Sequence, residues 1–275
     1  MTEHPEQLAM GTWVLALVVM TAFSGVFVGI ASARKAATVL GGRHRMMWLA
    51  WGALSIGGVG LWLPKIIGLV GVEIGESGVR YDILWIVGSL LLSVAVCYAA
   101  LYVVSPVPNR HRMPSGSVEL GRLLTGGAIL AVGAILVHLA LITGVEIRGE
   151  IEYDIVMISV SALVSLVAAA LVVWSVQAGN SRLIRLGASF AAGLGFAGAH
   201  YIGIYALVAT VDPTSPLPDG IDIFSVLFPA YVLGLLVLTI PITALLMAPD
   251  RIAAELEFEA DALAEEPIDH QFERA

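Results

Sequence analysis

The sequence predicts an all-α fold, a polytopic transmembrane helix bundle of seven helices arranged as three helix-pair repeats after an extra first helix. Three observations predict it. Hydrophobic residues form 58% of the 275-residue chain and charged residues 13%, with a mean hydropathy of +0.90, which overrules the soluble-domain expectation for this length. Seven apolar runs reach the ~20 residues that a helix needs to cross the hydrocarbon core. Short polar peptides recur at matching places between those runs.

The runs lie near Trp13–Ala33, Met47–Val70, Ile83–Val104, Leu123–Val145, Ile155–Gln177, Leu183–Thr210 and Ile223–Met247. A transmembrane barrel would need alternating strands, whereas Leu166–Val173 is apolar at every position. The first run is preceded by Glu3, His4 and Glu6 with no Lys or Arg, so it reads as a retained helix rather than a cleavable signal. Residues 1–12 form an external N-terminal segment, 13–247 the membrane domain and 248–275 an acidic cytoplasmic tail.

Orientation follows the cations of the short connections. Arg34, Lys35, Arg43, Arg45, Arg110, Arg112, Arg122, Arg182 and Arg185 fall on one side, which is read as cytoplasmic. The opposite connections carry only Arg80 and Arg148 as cations and hold Glu73, Glu76, Asp82, Glu146, Glu150, Glu152, Asp154, Asp212, Asp219 and Asp222. The N-terminus is then external and the C-terminus cytoplasmic. The net charge of -8 carries no nucleic-acid signal, and Cys97 stands alone, so no disulfide forms within the chain.

The repeats are explicit. Arg43-His44-Arg45-Met46 returns as Arg110-His111-Arg112-Met113, and Tyr81-Asp82-Ile83 returns as Tyr153-Asp154-Ile155, with Ile221-Asp222-Ile223 a looser third copy. The basic clusters read as loop residues that set orientation and touch anionic lipid. Glycines concentrate in the outgoing helices, the second, fourth and sixth, and small residues let membrane helices approach closely. Those three helices are expected to form the inner bundle, with the returning ones facing lipid.

Each outgoing helix carries one polar residue near its external end: Lys65, His138 and His200. A Lys or Arg at membrane depth costs roughly 2.5–3.5 kcal/mol on insertion scales, so such residues are functional-site candidates. Equivalent helices make them a ring below a canopy of carboxylates, with the two imidazoles expected to share one cavity. Two imidazoles can hold a borderline or soft metal, while Lys65 could pair with an acid of the turns or extend outward along its stem. Structural hydrogen bonding within the bundle is the plainer alternative.

The segment Gly195-Phe196-Ala197-Gly198-Ala199-His200-Tyr201-Ile202-Gly203-Ile204 resembles the signature of the MHYT domain, a bacterial integral-membrane sensor module of repeated helix pairs. Gly58-Val59-Gly60-Leu61-Trp62-Leu63-Pro64-Lys65 matches its first motif in the glycines and Trp62, and Val137-His138-Leu139 occupies the place of the second. The resemblance implies a sensory role through copper near the outer face, with His138 and His200 as metal ligands and Lys65 and Tyr201 as further ligand-binding residues. The family methionine is Pro64, Val137 and Ala199 here, and Lys65 replaces a histidine. Thioethers select copper(I), so their loss bears directly on whether copper or another transition metal is the cofactor.

The reading is therefore a non-enzymatic membrane sensor among lipids, signalling through a separate cytoplasmic or membrane partner. An ion or proton transporter and a scaffold with a degenerate site are the alternatives. Ser/His/Asp sets, His-Glu-x-x-His and phosphate-binding glycine loops do not occur.

Overall fold

The computed structural model describes residues 2–3, 5–7, 9–39, 42–75, 77–105, 119–178 and 181–247. His4, Glu76, the second basic cluster at 109–113 and the tail with His270 lie outside the described residues. Seven helices run through the rest: α1 (Trp13–Ala36), α2 (Gly42–Leu69), α3 (Ile83–Val104), α4 (Leu120–Thr143), α5 (Ile155–Ala178), α6 (Arg182–Tyr205) and α7 (Ile223–Leu246). Six are long and apolar enough to cross a membrane, and the chain is a multi-pass membrane protein. Helix α6 matches them in length but falls below them in apolarity, because it carries Arg182, Arg185 and His200 and dilutes its apolar residues with glycine.

Burial sorts the helices much as the glycine pattern predicts. In the apolar stretch, 67% of α2 and 50% of α4 are buried, against 28% of α3, 28% of α5 and 11% of α7. Helix α1 adds a feature the pattern did not predict, for with 44% buried it packs against α2 and α6 and touches α5 and α7. A Cβ at Gly25 would strike the Gly60 backbone, and one at Gly193 would strike the backbone of Phe23. Small residues on both sides thus bring α1 against α2 and α6 at near-backbone contact.

Helix α2 changes character midway, where Leu54–Trp62 is π-helical and the Leu63 N–H donates to the Gly58 carbonyl. The cause is legible in Pro64, which follows at once. Proline lacks a donor and its ring clashes with the carbonyl four residues back, and the wider π turn removes that clash. Ser93 Oγ donates to the Gly57 carbonyl at 2.7 Å, satisfying an acceptor in the altered stretch.

The acidic turns form a knitted cap. Strands β1 (Thr2–Glu3), β4 (Gly149–Tyr153) and β5 (Leu207–Val211) make one antiparallel sheet in the order β1-β5-β4, and β2 (Arg80–Tyr81) pairs with β3 (Val145–Glu146). Tyr81 and Ile221 exchange backbone bonds at 3.0 and 2.9 Å, so each of the three turns is bonded to the other two. The sixth run was expected to stay helical to Thr210; instead the helix ends at Tyr205 and β5 begins. Leu207 and Ala209 face inward in strand alternation while the backbone pairs with β4.

At the opposite end, the first basic cluster lies in the opening turn of α2 rather than in a loop. Arg43 and His44 are exposed as expected, but Arg45 is buried. Arg45 donates to the Ser105 carbonyl at 3.0 Å, and Arg34 donates to the Val176 carbonyl at 3.0 Å. Each guanidinium therefore covers carbonyls at the end of a returning helix, where a cation is favoured.

Candidate functional site

Lys65, His138 and His200 stand in the last two turns of α2, α4 and α6, directly under the cap. They are only 2%, 5% and 2% exposed. The two imidazole rings meet edge to face, with centroids 6.2 Å apart and planes at 87°. Lys65 lies one helical turn before Gly68, against which the His200 ring packs. Tyr201 completes the group, its ring centroid 5.4 Å from that of His200. The sequence-predicted residues thus come together from three different helix pairs.

What seats the rings is glycine, and the seats cross between repeats. A Cβ at Gly203 on α6 would collide with the His138 ring, and a Cβ at Gly68 on α2 would collide with the His200 ring. Each glycine lies three residues after a polar site residue, one helical turn on the same face. Each ring is packed closely on the glycine of a different helix pair. Ser161 on α5 donates to the Ala199 carbonyl at 2.7 Å, anchoring the residue before His200, and Trp62 Nε1 donates to Ser89 Oγ at 3.0 Å beside the first motif. Gly68, Gly203 and Ser161 were not predicted as site residues; the i, i+3 spacing of the glycines is the signal that could have found two of them.

Both ring nitrogens of His138 and of His200 are buried without a hydrogen-bond partner, as is the Tyr201 hydroxyl. The Gly203 backbone lies near the His138 ring, but no bond of proper geometry joins them. A buried polar group left unpaired costs about 1–3 kcal/mol. Five such atoms in one cluster are the feature that sets this place apart from the rest of the core.

Four carboxylates of the cap are held by local hydrogen bonds. Asp82, Asp154 and Asp222 cap α3, α5 and α7, accepting from the N–H groups of Leu84, Val156 and Phe224 at 2.7, 2.8 and 2.8 Å. That role explains the recurrent Asp-Ile peptide. The Asp82 N–H donates to Gly144 and the Asp154 N–H to Ala206 at 2.9 and 2.8 Å, tying each returning helix to the end of the next outgoing one. Asp212 accepts from Thr214 and Ser215, which hold its carboxyl below the usual range. Tyr81, buried in the cap beside Asp222, has its phenol pushed up, first by desolvation and then by that negative charge. Among the described residues the ion pairs are Arg80–Asp222 and Arg122–Glu119, and Lys65 is in neither.

Tested against a metal ion, the donor set is two imidazoles. Among the described residues no group of three His, Cys, Asp or Glu could hold a metal, and Pro64, Val137 and Ala199 supply no donor at the motif positions. Two imidazole donors suit a borderline transition metal with further ligands from elsewhere rather than a closed tetrahedral centre.

Residues 58–117 match the family model for MHYT, described as a bacterial signalling protein N-terminal repeat. The chain is 28% identical over 174 residues to the bifunctional diguanylate cyclase/cyclic di-GMP phosphodiesterase MucR of Pseudomonas aeruginosa, a match covering 62% of this chain and 24% of that one. It is 26% identical over 212 residues to the signaling protein YkoW of Bacillus subtilis, covering 74% of this chain and 25% of the other. The matches therefore span about a quarter of the length of these relatives. No solved structure matches.

Proposed function

Because this chain carries the MHYT repeat of bacterial signalling proteins within a multi-pass membrane bundle, we propose that it is a membrane sensor whose receptive site is the buried cluster of His138, His200, Lys65 and Tyr201. The observation that supports this most is the pair of imidazoles, brought from two helix pairs with all four ring nitrogens unpartnered. A purely structural pair would be expected to satisfy its nitrogens. In this reading the cap side faces outward, as the cation distribution predicts, and the ligand is a metal ion or another small molecule. A metal, copper included, would be held by His138 and His200 and would serve as the binding centre for the sensed species.

Binding at the cluster biases the packing of α2, α4 and α6, whose glycine seats link the helices. The shift reaches the far end through α1 and the arginines that cover the ends of α3 and α5. There it is passed to a separate cytoplasmic or membrane partner. The relative named for cyclic di-GMP synthesis and breakdown makes an enzyme of that turnover the partner class we favour.

The test is ligand-dependent stabilisation of the purified full chain, with copper, zinc and azide as probes, beside a His138→Ala, His200→Ala double variant. Site occupancy stabilises the folded state by mass action, so at least one probe should raise the unfolding temperature of the wild type and not of the variant. A wild type indifferent to all three would overturn the receptive role and leave the cluster as packing.

A further inference from the structure

We infer that the cluster is built for a small anion. The inference rests on the cluster being receptive, as proposed above, and narrows the ligand from the chemistry of the groups present. Lys65 in its protonated form brings an ammonium, which only donates; each imidazole in its neutral form brings one N–H; Tyr201 brings an O–H. Lys65 is buried, and among the described residues it forms no ion pair.

Four carboxylates of the cap are engaged by hydrogen bonds of their own, and among the described residues none of the cap's acids pairs with Lys65. Asp82, Asp154 and Asp222 accept from the backbone of their own helices, and Asp212 accepts from Thr214 and Ser215. A charge taken out of water needs both a counter-charge and hydrogen bonds. An anion seated among Lys65, His138 and His200 supplies both at once. It accepts from the ammonium and from an N–H of each ring, which accounts for two of the unpartnered ring nitrogens. A metal cation satisfies the rings but places a second positive charge beside the ammonium.

The packing limits size. The rings meet edge to face at 6.2 Å and are seated on Gly68 and Gly203, so the anion that enters is of a few atoms, such as a linear triatomic or a simple carboxylate.

Infrared spectroscopy of azide with the metal-stripped, detergent-solubilised full chain reads this directly, because bound azide has a shifted stretching band. The expected result is one bound band, displaced by formate and weakened about tenfold to a hundredfold in Lys65→Met, the loss of one charge-assisted hydrogen bond. The methionine removes a buried charge while keeping the apolar stem, and the unfolding temperature of Lys65→Met confirms that it folds. His138→Gln, which keeps a donor, should bind azide more tightly than His138→Ala. A band that appears only after copper or zinc loading, with equal strength in Lys65→Met, overturns the anion assignment while leaving the receptive cluster intact. Absence of any band, with or without metal, overturns it as well.

Discussion

At the scale of the residue, the site depends on two absent side chains as much as on four present ones. Adding one carbon at Gly203 or Gly68 forces the His138 or His200 ring out of its seat. Overpacking of this kind costs about 1–3 kcal/mol, against a gain of roughly 0.5–1 kcal/mol for replacing a helical glycine by alanine in open space. Gly203→Ala should therefore lower the unfolding temperature and weaken ligand binding. Gly127→Ala, which meets no neighbouring atom within 4 Å, should be neutral or stabilising, and thermal unfolding of the two variants side by side checks the contrast. His138 and His200 were legible in the sequence because an ionisable group in an apolar run stands out. Their seats were not, since spacing identifies a helix face without saying which helix that face meets.

At the scale of the element, the helices were legible and the cap was not. Apolar runs place the spans to within a few residues, and α3 begins and ends where its run does. The strand Leu207–Val211 continues an apolar run without a polar break, and a short apolar stretch cannot be assigned to helix or strand by periodicity alone. The Asp-Ile repeats were visible as repeats, but their use as helix caps emerges only from the bonds to Leu84, Val156 and Phe224.

Tyr81 offers a test of the cap. Its phenol titrates higher in the folded protein than in the unfolded chain, so above the ordinary phenol value of about 10 the unfolded state releases a proton that the folded state keeps. The Tyr81 contribution is thus intact below that pH and is lost as the pH rises toward the folded value. Tyr81→Phe should cost little at neutral pH, because the bond to the Leu69 carbonyl is long at 3.4 Å. It should also flatten the alkaline fall in unfolding temperature, and an unchanged fall would place the sensitivity elsewhere.

At the scale of the whole molecule, each of three helix pairs lends at least one helix to the packing of α1, their turns are bonded to one another, and a polar residue of each outgoing helix reaches one buried point. Repetition in the sequence predicted that convergence; the packing of α1 was hidden, because a first helix outside the repeat gives no sign of where it packs. Gly25, Gly29 and Gly193 decide it through contact with α2 and α6. A receptive site under the cap requires that His138 and His200 meet. Solid-state NMR of histidine-labelled protein in bilayers, with signals assigned from His138→Gln and His200→Gln, measures it most directly. A ring-to-ring cross peak between the two, lost in either variant, is the predicted result. Two rings without a cross peak, each exchanging with bulk water as the exposed His44 should, would contradict the site and the function drawn from it.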